Sequence, residues 1–329
     1  MRLIRHCGEL TPDLSGAVVA LGNFDGVHRG HQAVIREAKR IAEDLGAPHG
    51  VMTFEPHPRS HFNPAQRPFR LTPFRVKARL IESLGIDLLF QQHFDDAFAG
   101  LSAMDFIDDV LGKCLNVRHV VVGYDYVFGK GRQGTGALLQ KMADEGRFGF
   151  TSVPPAVAPS GETYSSTAVR THLVEGRPAD AARLLGHYWE IESRVEHGDA
   201  RGRSIGFPTA NLHLGEYQSP AAGVYAVRAG IDQGVTTRWH DGVANFGRRP
   251  TFDGAGELLE VHLFDHSEDI YGRHLRVALV DFIRPERRFA GLDELKAQIV
   301  QDVAVAKAML GQHHFPESPG PFVPVAEPS

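Results

Sequence analysis

The sequence predicts an α/β domain with a parallel sheet, followed by a small β-barrel and one long C-terminal helix. Short apolar runs alternate with amphipathic segments up to about residue 187, which is typical of a parallel sheet with crossover helices. After Trp189 the chain has strand after strand, at the spacing of a small barrel. We therefore divide the chain into domains 1–186 and 187–314 and a proline-rich tail, 315–329, which we expect to be disordered.

The predicted strands are short runs rich in β-branched and aromatic residues. Those of the first domain are Ala17–Leu21, Val51–Phe54, Leu88–Phe90, His119–Val122 and Phe150–Val153. Those of the second are Ile191–Glu196, Val224–Ala229, Gly242–Asn245, Leu259–Phe264 and Leu275–Phe282. Ser102 and Asp105 form a capping box that predicts a helix running to Leu111. The last helix, Leu292 to about Leu310, would place Leu295, Ile299, Val303, Ala306 and Leu310 along one face.

Composition narrows the class of protein. A chain of 329 residues exceeds the usual length of one domain, and 42% hydrophobic with 23% charged residues is ordinary for a globular protein with sizeable cores. The formal net charge of −5 offers no basic surface, so we expect no nucleic-acid partner. We also expect no membrane span, because no apolar run approaches the roughly 20 residues that a span needs. The oligomeric state stays open.

The two cysteines, Cys7 and Cys114, lack C-x-x-C spacing. This pattern argues against a zinc site or a disulfide framework and fits a reducing cytosol. We therefore expect both to be unpaired core residues of a cytoplasmic protein.

The segment Leu21–His31 lies between a predicted strand and a predicted helix, where helix amides favour a bound anion. Its glycines would let the backbone approach a phosphate, and its two histidines, three residues apart, can face the same ligand. The loop residues are Gly22, Asn23, Phe24, Asp25 and Gly26, followed by His28, Gly30 and His31. A weak metal site or two solvated histidines are the alternatives.

Three further segments of the first domain fit a ligand site. Phe54, Pro56 and Pro58 end a strand at the sheet edge where α/β ligands bind, although a plain turn explains them equally. Gly123, Asp125 and Phe128 follow the predicted strand His119–Val122. Ser165, Ser166, Thr167 and Arg170 stand at a helix start, where the hydroxyls could serve only as caps.

Together these segments resemble the H-x-G-H nucleotidyltransferases, and most closely the N-terminal module of prokaryotic bifunctional riboflavin kinase/FMN adenylyltransferases, or FAD synthetases. The resemblance implies a Rossmann-like nucleotidyltransferase domain in which all of these residues line the ATP and FMN site. It assigns His28, His31 and Arg170 to stabilising charge on the triphosphate.

In the second domain the string GDARGRSIGFPTAN, from Gly198 to Asn211, resembles the riboflavin-kinase signature. The resemblance implies a riboflavin-kinase barrel with Thr209 and Asn211 as Mg²⁺ ligands, and Mg²⁺ does favour oxygen donors completed by water and phosphate. A Gly/Pro hairpin would explain the glycines alone. The implied ATP and riboflavin contacts are Gly198, Gly202, Arg203, Gly206, Phe207, Pro208, Asn245 and Arg249.

Glu260 is flanked by apolar residues on a predicted strand, where an unpaired carboxylate is costly to bury. The family's general base matches this position, and a solvated barrel face is the alternative. His266 stands where the family commonly has Phe. The resemblance implies two reactions: riboflavin with ATP to FMN, and FMN with a second ATP to FAD and pyrophosphate. The alternatives are an H-x-G-H enzyme acting on a different phosphate ester, and a flavin-binding protein without activity.

Overall fold

The computed structural model describes residues 1–197, 206–232, 237–251 and 254–313. The chain divides into two compact units, Met1–Arg67 with Phe74–Tyr164, and Pro68–Pro73 with Ser165–Ser329. Helices that follow Tyr164 thus group with the second unit, and the domain boundary after residue 186 stays a prediction. The proline-rich tail lies outside the described residues, so its disorder also stays a prediction.

The first unit is built on a six-stranded parallel sheet in the order β1-β4-β3-β2-β5-β8. The strands are β1 Arg2–Ile4, β2 Val18–Leu21, β3 His49–Glu55, β4 Leu88–His93, β5 His119–Gly123 and β8 Gly149–Val153, with a small antiparallel pair, β6 Val127–Phe128 and β7 Gly134–Thr135. The helices are α1 Arg29–Leu45, α2 Pro58–Phe62, α3 Phe74–Glu82, α4 Asp96–Ala99, α5 Ala103–Asp105 and α6 Gly136–Asp144, with 3₁₀ turns at Cys7–Glu9 and Lys130–Arg132. The predicted parallel α/β domain is confirmed.

The strand order puts β2 in the middle of this sheet. All four residues of β2 are buried, as in a strand covered on both faces. Helix α1 follows it and ends at Gly46, whose left-handed φ of 57° closes the last turn. Because the order reverses direction beside β2, the loop between β2 and α1 lies at the switch point where open α/β sheets bind ligands.

The segment after Ser102 differs partly from its prediction. The capping box of Ser102 and Asp105 is present, with reciprocal bonds of 3.1 Å. The helix continues past Leu111, however, because a π-helical stretch covers Phe106–Cys114. Its residues Phe106, Ile107, Val110 and Leu111 are all buried in the core.

The prediction that the cysteines are unpaired is wrong. Cys7 and Cys114 form a disulfide with Cα atoms 5.2 Å apart across a sequence separation of 107 residues. Cys7 is exposed, so its predicted core placement is also wrong, whereas Cys114 is partly buried and packs against the core of the first unit. Motif spacing detects cysteines that are close in sequence, whereas the fold brings this distant pair together.

The second unit is built on a six-stranded antiparallel sheet in the order β10-β13-β12-β11-β14-β9. A bridge between Glu196 and Asn211 joins the β9 and β10 ends and brings the sheet close to a closed barrel, as predicted. The strands are β9 Trp189–Arg194, β10 Ala210–His213, β11 Gly223–Asp232, β12 Thr237–Thr251, β13 Gly254–Leu263 and β14 His274–Pro285. The helices are α7 Ser166–Val174, α8 Pro178–Leu185 and the C-terminal helix Leu292–Leu310, whose bounds agree with the prediction.

The C-terminal helix packs on the outer face of the barrel. Its Ala306 and Leu310 are buried against Val224, Ala226 and Val243. The buried face of this helix also contains a charged residue that was not predicted there, Asp302, which is 4% exposed. Its carboxylate accepts hydrogen bonds from the Arg284 guanidinium at 2.9 and 2.7 Å. A carboxylate on the buried face of a helix is possible here because the arginine satisfies both oxygens.

Candidate active sites

The first candidate site begins at the H-x-G-H segment. His28 is the N-cap of α1, and its Nδ1 accepts a bond from the His31 amide at 3.3 Å. The two imidazole rings stack with centroids 3.6 Å apart. A Cβ at Gly30 would lie 3.1 Å from the His28 ring and 3.2 Å from the Tyr164 carbonyl oxygen. Glycine therefore avoids close contacts with both groups at this position. Because His28 is only 6% exposed, a pair of solvated surface histidines is excluded.

The loop ahead of His28 is a tight, buried turn. Phe24 and Val27 have φ values of 50° and 45°, in the left-handed region that side chains disfavour. Both side chains are almost fully buried, and the Phe24 ring meets the His31 ring edge-on at 5.3 Å. A Cβ at Gly22 would lie 2.9 Å from the Phe24 ring. The glycine therefore allows the ring to fold under the loop, and the packing holds the strained backbone.

A lysine that the sequence analysis missed lies beneath this loop. Lys77 on α3 has no exposed surface, and its ammonium contacts Glu55 Oε1 at 2.6 Å, Thr53 Oγ1 at 3.0 Å and the Asn23 carbonyl at 3.2 Å. It shares one helix face with the buried residues Leu80 and Ile81, three and four positions on. A lysine within an apolar helical stripe was the signal that could have revealed it.

The ends of β3 and β5 flank the end of β2 in the sheet. Glu55 ends β3 and is followed by a cis peptide to Pro56, then by α2, which has Pro58 as its first residue. Gly123 ends β5, and Asp125 just beyond it is exposed. The sheet thus brings these predicted residues to the same carboxyl edge as the H-x-G-H loop.

Two aromatic residues of the predicted site are buried in the core of the first unit. Phe54 is 7% exposed and packs against Phe94 and Phe98. Phe128 is also 7% exposed and contacts the Phe106 ring at 5.2 Å. Contact of either ring with a nucleotide stays a prediction.

The hydroxyl-rich segment lies in the second unit. Ser165 caps α7 by accepting a bond from the Ala168 amide at 3.1 Å, while Ser166 and Thr167 form the first turn. Arg170 donates from Nε to the Phe69 carbonyl at 2.8 Å, and its guanidinium lies over the Phe69 ring. The capping interpretation is confirmed for Ser165, and the nucleotide-binding role of the segment stays a prediction.

The second candidate site is built across three antiparallel strands. Glu260 of β13 is directly opposite Asn211 of β10 on one side and Asn245 of β12 on the other. Residues in such register share a face of the sheet, with Cβ atoms about 4.5–5.5 Å apart. Glu260 is half-buried, whereas its neighbours Leu259 and Val261 are fully buried and face the barrel interior. The strand therefore presents the carboxylate on the opposite, partly solvated face.

The proline–threonine segment leads into this row. Gly206 has a left-handed φ of 91°, and the Pro208 carbonyl is 2.9 Å from Nδ1 of His262. The Phe207 ring contacts the His262 ring edge-on, and Thr209 immediately precedes β10. Arg249 lies on β12, whereas the predicted contacts Gly198, Gly202 and Arg203 lie outside the described residues.

The structure adds an acidic residue to this region. The Asn245 side chain donates from Nδ2 to Glu286 Oε1 at 3.1 Å. A Cβ at Gly247 would collide with the same carboxylate, so glycine allows Glu286 to reach Asn245. Glu286 follows β14 in an arginine-rich segment, and nothing in its sequence context marks it out.

Comparisons with known proteins decide the family. The sequence model described as FAD synthetase matches residues 10–168, and the one described as riboflavin kinase matches residues 185–310. A bifunctional riboflavin kinase/FMN adenylyltransferase from Escherichia coli (strain K12) is 45% identical over 312 residues, covering 94% of this chain and 98% of that protein. The chain belongs to the bifunctional riboflavin kinase/FMN adenylyltransferase family.

Other members of the riboflavin kinase/FMN adenylyltransferase family match over similar lengths. The protein from Haemophilus influenzae is 41% identical, and the alignment covers 94% of this chain and 99% of that protein. The protein from Bacillus subtilis is 42% identical, and the alignment covers 87% of this chain and 90% of that protein. Both domains of the family are therefore present in one chain.

A solved structure shares the fold of this family member. The crystal structure described as a macrolide-efflux protein from Streptococcus pneumoniae is similar with a TM-score of 0.82 and 34% identity, covering 93% of this chain and 98% of that one. Within the described ranges, this chain has no helix with both the length and the apolarity needed to cross a bilayer.

Proposed function

We propose that this chain makes FAD in two reactions, riboflavin phosphorylation on the barrel and FMN adenylylation at the parallel sheet. Family membership supports both activities. The observation that carries the assignment of residues is the register of β13, which lines up Glu260 with Asn211 and Asn245.

In the kinase reaction, the Glu260 carboxylate accepts the proton of the ribityl 5′-hydroxyl. The hydroxyl oxygen then bonds to the γ-phosphorus of ATP, the bond from that phosphorus to the β-phosphate oxygen breaks, and ADP leaves. Phosphoryl transfer mainly requires positioning and charge neutralisation, so a base aligned on a rigid strand suits it.

The residues beside Glu260 fit a magnesium ion. Thr209 and Asn211 offer a hydroxyl and an amide oxygen, which are hard donors of the kind Mg²⁺ binds. Mg²⁺ has octahedral geometry, so two neutral side-chain donors leave most positions open, and ATP phosphates and water would complete the shell. When bound, Mg²⁺ neutralises phosphate charge and orients the nucleotide.

In the adenylylation reaction, a phosphate oxygen of FMN attacks the α-phosphorus of ATP, and the bond to the β-phosphate oxygen breaks to release pyrophosphate. The cap position puts His28 and His31 at the N-terminus of α1, where amides and imidazoles together stabilise an anion. Their contribution is electrostatic and requires no covalent enzyme intermediate. The role of Arg170 in the same reaction rests on the family resemblance.

Incubation of the chain with riboflavin, ATP and Mg²⁺ tests the proposal. Chromatography should show FMN first and FAD later, with pyrophosphate released together with FAD. FMN alone would contradict the adenylylation assignment, and no conversion would favour a flavin-binding protein without activity. We also propose a cytoplasmic location. There, cellular reductants would keep Cys7 and Cys114 as thiols in place of the disulfide seen in the structure. Thiol labelling in intact cells should find both thiols free, and a protected disulfide would contradict the location.

A further inference from the structure

Lys77 has a buried ammonium group, and neither of the two reactions described above assigns it a role. It lies beneath the loop that links β2 to α1, in the same compact unit. Taking an amine out of water is costly unless charge and hydrogen bonds compensate. Glu55, whose side chain is 12% exposed, supplies the opposite charge at 2.6 Å.

Two further contacts link the ammonium to the loop and to β3. Lys77 donates to the Asn23 carbonyl at 3.2 Å and to Thr53 Oγ1 at 3.0 Å. Thr53 in turn donates to the same Asn23 carbonyl at 3.1 Å. Two donors from different elements thus hold one carbonyl oxygen of the loop in place.

The position of this carbonyl determines the direction of the next amide. In a planar trans peptide the C=O and N–H groups point in opposite directions. When the Asn23 oxygen is held toward Lys77, the Phe24 N–H points away from it. Phe24 adopts a disfavoured φ of 50°, so this peptide orientation needs such restraint to persist.

We infer that Lys77 is a positioning residue for adenylylation, which holds the Asn23–Phe24 peptide in the orientation that the nucleotide requires. The inference rests on the proposed adenylylation at this loop. Glu55 serves the same arrangement by neutralising the lysine at the strand end that precedes Pro56. Lys77 itself need not touch the substrate.

The test compares three variants in the full-length chain. Lys77→Met removes the ammonium but leaves the Glu55 charge stranded, which lowers stability as well. Lys77→Met/Glu55→Gln removes the stranded charge and separates stability from positioning. Lys113→Met is the matched control, since the Lys113 side chain is 78% exposed in the same unit.

We expect both Lys77 variants to lose about 10- to 100-fold in FMN adenylylation, mainly in kcat, because a misplacement of about 1 Å costs on the order of 100-fold. Riboflavin phosphorylation should be unchanged. The double variant should regain melting temperature but not adenylylation. If the double variant adenylylates FMN as well as the unmodified chain does, Lys77 has only a structural role.

Hydrogen–deuterium exchange of the segment 22–27 gives a readout that needs no activity. Exchange of these amides should rise in both Lys77 variants and stay unchanged in Lys113→Met. Unchanged exchange in the double variant would overturn the positioning role whatever the kinetics. Failure of the unmodified chain to convert FMN to FAD would instead overturn the proposed function, so the two failures are distinguishable.

Discussion

The two candidate sites are built in different ways. At the parallel sheet, the ends of β2, β3 and β5 bring backbone loops to one edge, which also holds a strained turn and the N-terminus of α1. On the barrel, side chains from neighbouring strands line up in register around Glu260. A parallel sheet therefore provides oriented amides, whereas an antiparallel sheet provides a row of side chains. The first arrangement depends on loop conformation and the second on strand register.

The largest expected effect tests the barrel side of this comparison. Glu260→Gln should lower riboflavin phosphorylation by about 10²- to 10⁴-fold, the range for loss of a general base. Added FMN should still be converted to FAD. Steady-state assays of both reactions check this, with Glu268→Gln as the control because the Glu268 side chain is 60% exposed. Loss of both activities in a folded variant would contradict two separate sites.

The next effect tests the sheet side. His28→Asn keeps a side chain suited to an N-cap but removes the imidazole. Adenylylation should fall by about 10²- to 10³-fold, by analogy with the loss of one charge-stabilising donor. Phosphorylation should be unchanged, and His6→Asn, at an exposed position, should affect neither rate. Normal adenylylation by His28→Asn would mean that His28 acts only as a cap.

Covalent stabilisation also distinguishes the two regions, because both cysteines belong to the first unit. Cys7→Ser/Cys114→Ser should lower the unfolding free energy of that unit by about 2–4 kcal/mol, since a disulfide restricts the unfolded chain. Both tryptophans, Trp189 and Trp239, lie in the second unit, so their fluorescence reports barrel unfolding separately. Hydrogen exchange of the β2 and β3 peptides reports the first unit. An equal loss in both signals would show that the two units unfold together.

The last prediction concerns pH. Burial lowers the pKa of His49, at the start of β3, to about 4, against 6.5 for an ordinary histidine. Below pH 6.5, His49 is protonated in the unfolded chain but stays neutral in the folded chain. The free energy of unfolding therefore falls as the pH decreases, by up to about 1.4 kcal/mol per pH unit, until about pH 4. His49→Asn should flatten this slope in urea titrations followed by exchange of first-unit peptides. An identical slope in both proteins would exclude His49 as the cause.

Much of the local structure could be predicted because its signals come from short segments of the chain. The H-x-G-H loop, the Ser102 capping box and the C-terminal helix each depend on residues within a few turns of one another, and the structure contains the cap and the helix as predicted. Short segments carry such information in their own backbone preferences and hydrophobic period. The placement of Phe128 in the core could not be read in this way, because motif position does not reveal which way a ring packs.

The alternation of apolar runs with amphipathic segments, followed by strand after strand, by itself determined that a parallel α/β domain precedes an antiparallel barrel. The motifs in the sequence determined the family. Only the tertiary structure decided the Cys7–Cys114 disulfide, the contact of Lys77 with Asn23 54 residues earlier, and the alignment of Glu260 between two asparagines. The physical reason is the range of the interactions. Hydrophobic period and capping act along a few residues of chain, whereas these contacts join segments that come together only when the whole core packs.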